Sequence, residues 1–274
     1  MPDFLRRLIG SPQGLIGSLI VLLVLLFAAI GGWLAPYDPD AMSPLARYRP
    51  PGAEYLLGTD QFGRDILSRL LTGAQSTVAM AVLATFLGTG IGAVIGTASA
   101  YLGGRWDEFI MRTMDAVMAI PSLLLALLVV SLLGASGANA LLAVAIAFTP
   151  GMARITRAVA LTVRKQDYVS AAVARGEGSG YIVLREMLPN VIAPIVVEMT
   201  IRVAFAVMLF ATLSFLGLGA QPPAADWGLM VSEARQYLHR SPWILIWPSA
   251  FIALTAIGFN LMGDGLRDAL NPRT

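Results

Sequence analysis

The chain has 274 residues, 57% of them hydrophobic and only 13% charged, with a net charge of +2 and no cysteine. Soluble domains carry about 25% charged residues, and a deficit of this size points to a bilayer, where lipid-facing side chains must be apolar as well as core ones. The near-neutral balance gives nucleic-acid binding no support, and the missing cysteines exclude disulfides, thiol catalysis, iron–sulfur clusters and cysteine-based zinc sites.

A membrane span needs about 20 mostly apolar residues. Residues 15–34 are the first such stretch, after a basic start (residues 1–14) with Arg6 and Arg7. The basic start, the apolar run and the small Ala28 and Ala29 also fit a signal peptide. The run is long for one and further spans follow, so a retained anchor fits better. Residues 35–73 begin with Pro36, Pro39, Pro44, Pro50 and Pro51 among Asp38, Asp40, Arg47 and Arg49, a loop outside the bilayer. From Asp60 to Thr72 the pattern turns amphipathic, with Phe62, Ile66, Leu67, Leu70 and Leu71 on one face, which predicts a short helix lying on the membrane surface.

Residues 74–268 hold five more spans. The second, about Thr77 to Tyr101, carries Gly88, Gly92 and Gly96 on one face, where small residues let another helix approach closely, in this chain or in a partner. The third, about Phe109 to Leu133, is predicted to bend or break at Pro121, and Arg112 and Asp115 near its start read as a local ion pair. The fourth, about Asn139 to Ala160, contains Pro150. A charged connection, residues 161–190, follows. The fifth span runs from about Val191 to Leu218 and the sixth from about Trp243 to Met262, with Trp227, Trp243 and Trp247 read as an interfacial aromatic belt. His239 reads as a surface residue, since a lone imidazole makes no metal site. Residues 269–274 form a tail.

Six spans put both termini on one side. By count, about twelve basic residues fall on that side and about six on the other, which places the termini and the 161–190 connection in the cytoplasm. Within the connection, the chain's one lysine, Lys165, follows Arg164, so there is no Gly-Lys-Ser/Thr triplet and no Walker phosphate loop. If ATP drives this protein, another chain hydrolyses it. Tyr168 to Ala174 is a good helix former, Gly176, Gly178 and Gly180 interrupt it, and a second helical stretch from Tyr181 to Leu188 ends at Pro189. Small residues on the first helix suit it to a partner's groove.

Tyr168-Val169-Ser170-Ala171-Ala172, then Gly176, then Leu188-Pro189-Asn190 resembles the coupling loop of binding-protein-dependent ABC importer permeases. Ser170 stands where that family usually has Glu, and Arg175 and Glu177 flank the glycine where small or apolar residues are commoner. Leu57-Gly58-Thr59-Asp60 with Gly63-Arg64-Asp65 and Ser68-Arg69, then Met111-Arg112 with Asp115 and Pro121-Ser122-Leu123, are similar to the dipeptide/oligopeptide/nickel class of these permeases. So are Leu213 to Gly219, Gln221-Pro222-Pro223, Trp227-Gly228 and the tail from Asn260 to Asp268. The resemblance implies an all-α polytopic protein of the type I importer fold, with about six transmembrane helices and a cytoplasmic coupling helix. It implies Tyr168, Val169, Ser170, Ala171, Ala172, Gly176, Leu188 and Pro189 as the ATPase-coupling residues. The implied partners are a homologous second permease, two ABC ATPase subunits that hold ATP and Mg, an extracytoplasmic solute-binding protein, and membrane lipid. The chain itself is expected to carry no cofactor, no metal and no catalytic residue, and to sit in a bacterial inner membrane. Dipeptides or oligopeptides are the expected cargo, with nickel complexes, glutathione or opines as alternatives.

Glu198 and Arg202 stand in the fifth span at i, i+4 with the acid first, an order that favours pairing. Intramembrane charges need a reason. Either the two line the substrate path and meet the charged ends of a peptide, or they neutralise each other against a neighbouring helix. A stand-alone secondary transporter would need further mid-membrane carboxylates, for which only Glu198 is a candidate, and no catalytic cluster supports a membrane enzyme.

Overall fold

A computed structural model describes residues 2–270; Arg273 of the tail lies outside the described residues. The described chain is helical nearly throughout. Helix α1 (Pro2–Gly10) leads into α2 (Pro12–Leu34), the first span, whose start is fixed by Ser11: its hydroxyl accepts from the Gly14 N–H at 3.0 Å, and Pro12 occupies the first turn, where no N–H is missed. After the Pro-rich loop come α3 (Ile66–Ala74) and α4 (Met80–Leu102), joined by a π-helical stretch, Gln75–Ala79. Helix α5 (Gly104–Met118) meets α6 (Ser122–Leu133) at an 87° bend. Helix α7 (Gly137–Val163) carries Pro150, and the short α8 (Asp167–Ala174) follows. A turn of helix, α9 (Ser179–Tyr181), continues through a π-helical Ile182–Met187 and a 3₁₀ Leu188–Val191 into α10 (Ile192–Phe215). Helices α11 (Trp227–Ala234) and α12 (Trp243–Leu270) complete it. Among the described residues, five helical runs are long and apolar enough to cross a membrane, or six if the α5–α6 pair is one span.

Four sequence expectations are corrected. The predicted surface helix at Asp60–Thr72 instead begins at Ile66 and runs without a stop to Leu102, 37 residues in all. Its first turns, the part predicted to lie on the surface, are buried on more than one face: Ile66 and Leu70 on one, Ser68 and Arg69 on another. The amphipathic pattern misled because Arg69 satisfies its charge inside the protein. Trp227 is no belt residue. It is fully buried, its indole N–H donates to the Leu70 carbonyl at 2.9 Å, and its ring meets Phe251 edge-on at 5.6 Å. Arg112 does not pair with Asp115. It reaches Glu108 one turn earlier at 2.6 Å, while Asp115 pairs with Arg154 of α7. Pro189 does not end its helix either. A proline lacks the N–H and crowds the carbonyl four residues back, and here the π and 3₁₀ turns carry the chain past it.

The glycine face of the second span packs within the chain. A Cβ on Gly88, Gly92 or Gly96 would lie 2.2–2.5 Å from the Ala145, Thr149 or Ala153 carbonyl of α7, so only glycine permits this approach. The largest apolar core gathers α4, α6, α7, α10 and α12 around Val144, Phe148, Val207 and Phe210. A second core, around Ile66, Leu70, Trp227 and Ile244, ties α2, α3, α11 and α12 together.

Candidate coupling site and transport path

Helix α8 is short and two-faced. Val169 and Ala172, three residues apart, are buried and pack with Ala100 of α4, Ala160 of α7, and Ile182, Met187 and Val191 of the return run. The spacing puts both on one stripe. The other face carries Ser170 and Ala171, both exposed, with Tyr168 and the more exposed Val173. Burial, and then the nearby Glu186 carboxylate, push the Tyr168 phenol above its ordinary value, so it stays neutral. A groove of about 510 Å³ runs between Tyr101, Leu102, Arg164, Val169, Ser170 and Val173.

The helix stops by a closed motif. The Gly176 N–H donates to the Val173 carbonyl at 3.0 Å and the Glu177 N–H to Ala172 at 3.2 Å, with Gly176 at φ +78°. These two bonds are the Schellman pair, whose left-handed residue glycine occupies without a Cβ penalty. Past it, Arg175 reaches Glu186 at 3.3 Å, and Leu188 packs against the same cluster as Val169 and Ala172, while Pro189 faces out. The structure therefore brings Tyr168, Val169, Ser170, Ala171, Ala172 and Gly176 onto one short element and seats Leu188 beneath it.

Glu198 and Arg202 do pair, at 3.0 Å, within α10, with 25% and 18% of their side chains exposed. The Arg202 guanidinium lies over Phe148, 5.7 Å from the ring centre, and passes Gly151, where a Cβ would sit 2.9 Å from it. The two charges border a cavity of about 410 Å³ that is also lined by Ser122, Phe148, Phe205 and Met208. Glu198 also borders a second cavity of about 340 Å³, with Pro194, Val197 and Arg267.

Sequence reasoning missed two charge networks. At the end of the bundle near α8, Arg157 of α7 donates to Asp107 of α5 at 2.6 Å, and Ser99 donates to the same carboxylate at 2.5 Å. With Asp115–Arg154, these pairs hold α5, which has no buried residue of its own, against α7. At the opposite end, Arg64 bonds Asp60 at 2.5 Å and Glu233 at 2.9 Å. Arg69, 1% exposed, bonds Asp40 at 3.1 Å and the Pro39, Pro223 and Ala224 carbonyls. Asp226, fully buried, caps α11 through the Leu229 N–H at 3.0 Å and accepts from the Thr77 hydroxyl at 2.9 Å, while the Trp227 N–H donates to that hydroxyl. Burial pushes the Asp226 carboxyl up, against these hydrogen bonds. The signal was present: Asp60 to Arg69 and Gln221 to Gly228 are two of the motifs that carried the resemblance, and the fold joins them. Among the described residues no group of three His, Cys, Asp or Glu side chains is placed to hold a metal.

A bundle of long apolar helices with a short, half-docked helix at one end and a charged pair beside cavities within it defines a polytopic transport protein. Residues 88–274 match the family described as binding-protein-dependent transport system inner membrane component, and residues 1–51 match the N-terminal transmembrane domain of oligopeptide transport permease C. The chain belongs to this family of ABC importer permeases. A Brucella suis chain assigned by name to a peptide transport system is 42% identical over 98% of this chain and 90% of its own. An Escherichia coli chain named for D,D-dipeptide transport is 41% identical over 96% and 89%. The glutathione transport system permease protein of Escherichia coli is 40% identical over 99% and 90%. Among solved structures, a chain of the MetNI methionine ABC transporter in an inward-facing conformation superposes with a TM-score of 0.57 at 17% identity, over 74% of this chain and 97% of that one. That likeness establishes the type I importer fold. The chain is thus the permease component of an ABC importer and not its ATPase, and family membership implies a multi-subunit importer complex.

Proposed function

We propose that this chain carries short peptides across the inner membrane by alternating access, with both termini and α8 in the cytoplasm. Its partners are a homologous second permease, two ATPase subunits that hold ATP and Mg, and an extracytoplasmic solute-binding protein that delivers cargo. The coupling residues are Tyr168, Val169, Ser170, Ala171, Ala172, Gly176, Leu188 and Pro189, within a cytoplasmic loop of residues 161–190. Residues 15–34 anchor the chain, residues 35–65 stay outside, and the core runs from residue 66 into α12.

One observation carries this reading: α8 buries Val169 and Ala172 against four helical segments and leaves Ser170, Ala171 and Val173 uncovered. A helix fixed to the bundle on one side and bare on the other passes displacement from a docked partner into the bundle. The excess of basic residues on the α8 side supports the orientation. Peptide cargo is supported by relatives named for peptide, D,D-dipeptide and glutathione transport. The test is purification of the complex through a tag on this chain, followed by ATP-dependent uptake of a labelled dipeptide into proteoliposomes containing its binding protein. Uptake that proceeds without any copurifying ATPase would overturn the proposal.

A further inference from the structure

Two cavities meet at one charged pair. The larger, about 410 Å³, is bordered by Glu198 and Arg202 along one stripe of α10, with Phe148, Phe205 and Met208 as its apolar walls. The smaller, about 340 Å³, shares only Glu198 with it and opens toward Arg267 near the end of α12. A volume near 400 Å³ lies in the lower part of the range, about 300–1,000 Å³, of small-molecule sites.

What sets this pair apart from the other ion pairs is that it borders a cavity among the spans, and a buried donor left unmade beside it costs free energy. Both side chains keep part of their surface open to the cavity, and Arg202 Nε is buried without an acceptor. The Arg202 guanidinium also lies over the Phe148 ring, 5.7 Å from its centre, and close against Gly151. That arrangement sets a guanidinium beside a cavity instead of hiding it.

We propose that Glu198 and Arg202 form a terminus-reading subsite of the transport path for a dipeptide-sized zwitterion. Arg202 takes the cargo carboxylate, Glu198 takes the cargo ammonium, and the pair closes on itself when the cavity is empty. Charge balances throughout, since one internal ion pair is exchanged for two external ones. The dimensions agree once the pair, 3.0 Å apart when closed, has parted: the two backbone positions, four apart on a helix, are displaced about 6 Å along its axis, and two extended residues span at most about 7 Å. The apolar walls accept the side chains without selecting among them. Because Glu198 borders both cavities, the ammonium end is the one handed on to the smaller one. The proposal rests on the importer reading above and assigns the cargo's contact point within it.

The cysteine-free sequence supplies the test. In the assembled importer, purified through this chain, Ser122→Cys places one thiol of this chain on the cavity wall, and its rate of labelling by a small maleimide is measured. Alanyl-phenylalanine at ten times its dissociation constant slows labelling about tenfold, whereas the N-acetylated, C-amidated analogue leaves the rate unchanged. Adding Glu198→Gln and Arg202→Gln together abolishes the protection. Equal labelling with and without the free dipeptide, equal protection by the blocked analogue, or protection that survives the double neutralisation overturns the subsite. Comparison of the free and blocked peptides needs no change at the pair, so misassembly of the double variant does not leave the question open. Failure of the underlying importer reading shows separately, as absence of a copurifying ATPase or of ATP-dependent uptake with the unaltered chain.

Discussion

Ala171 and Ala172 are adjacent, chemically identical and opposite in environment, and they give the sharpest test of α8 as a docked lever. Ala172 is fully buried against Ala160, Ile182 and Met187, while Ala171 is exposed. Ala172→Glu forces a carboxylate into an apolar cluster with no cation in it. An uncompensated buried charge costs about 3–5 kcal/mol, a large share of the stability of any domain, so the melting temperature of the variant falls and its yield with it. Ala171→Glu changes a surface position, where substitutions stay within about 0.5 kcal/mol, so the chain folds and inserts as before. The damage appears at the partner. A carboxylate trapped unpaired in an interface costs about 2–5 kcal/mol, and 3 kcal/mol is more than about a hundredfold in affinity. The assay is paired: tryptophan-fluorescence melting of the purified chain, and the ratio of ATPase to permease after size exclusion. Ala171→Glu is expected to keep the melting temperature and lose the ATPase, and Ala172→Glu to lose both. A complex in which Ala171→Glu keeps its full complement of ATPase and full uptake would refute the assignment of that face.

Three further expectations follow from the packing. Trp227→Ala removes a fully buried ring and its bond to the Leu70 carbonyl, so a loss of about 3–5 kcal/mol is expected in denaturant melts, with Trp227→Phe intermediate; equal stability of all three would contradict the buried assignment. Asp226 has its carboxyl pushed up by burial, so the stability it contributes is complete below the ordinary aspartate range and is lost as pH rises through its raised value. Asp226→Asn keeps an acceptor for the Leu229 N–H and flattens that part of the melting-temperature profile; an unchanged slope would show that another group titrates. Gly96→Val sets a side chain where the Cβ alone would lie 2.2 Å from the Ala153 carbonyl, and overpacking of about 1–3 kcal/mol or more is expected from thermal melts, whereas Gly90→Ala, with open space at its Cβ, is tolerated.

The spans were legible because hydropathy reports burial in lipid and protein alike, and the break at Pro121 and the end of α8 at Gly176 because proline and glycine act locally. What stayed hidden was set by distant partners. Arg69 looked like a surface charge since nothing near it in the chain announces Asp40 or the Pro223 and Ala224 carbonyls. Trp227 looked like a belt residue because a tryptophan beside a span is the same letter whether it meets headgroups or fills a core. The Arg112–Asp115 reading chose the neighbour along the helix over Arg154, which lies on another helix. The local pair Glu198–Arg202 was readable, but Arg112 had two acids within a turn and the nearer in sequence was not its partner, and pairs between helices were not readable at all.

The two ends of the bundle are built differently, and the difference bears on where movement enters. At the end away from α8, buried ion pairs, the carbonyls around Arg69 and the Asp226–Thr77–Trp227 bonds join the first loop, α3, α4 and the segment before α11 into one body. At the α8 end the ion pairs tie α5 to α7, while the buried face of α8 makes apolar contacts that converge on a stretch of chain that is not α-helical: Ile182 and Met187, which share a cluster with Val169 and Ala172, lie in the π-helical run. Wide and tight turns in succession are where a helix bends most readily. If α8 is the coupling element proposed above, a push on it reaches the joint at the base of α10 before its stiff shaft. Glu198 stands six residues into α10 from Ile192, about 9 Å along the axis above that joint. Tilting α10 about that joint shifts Glu198 and Arg202 relative to Phe148 and Gly151 of α7, which the glycine face of α4 holds in place. On that reading, the contact through which a partner would move α8 also acts on the walls of the cavity beside the charged pair.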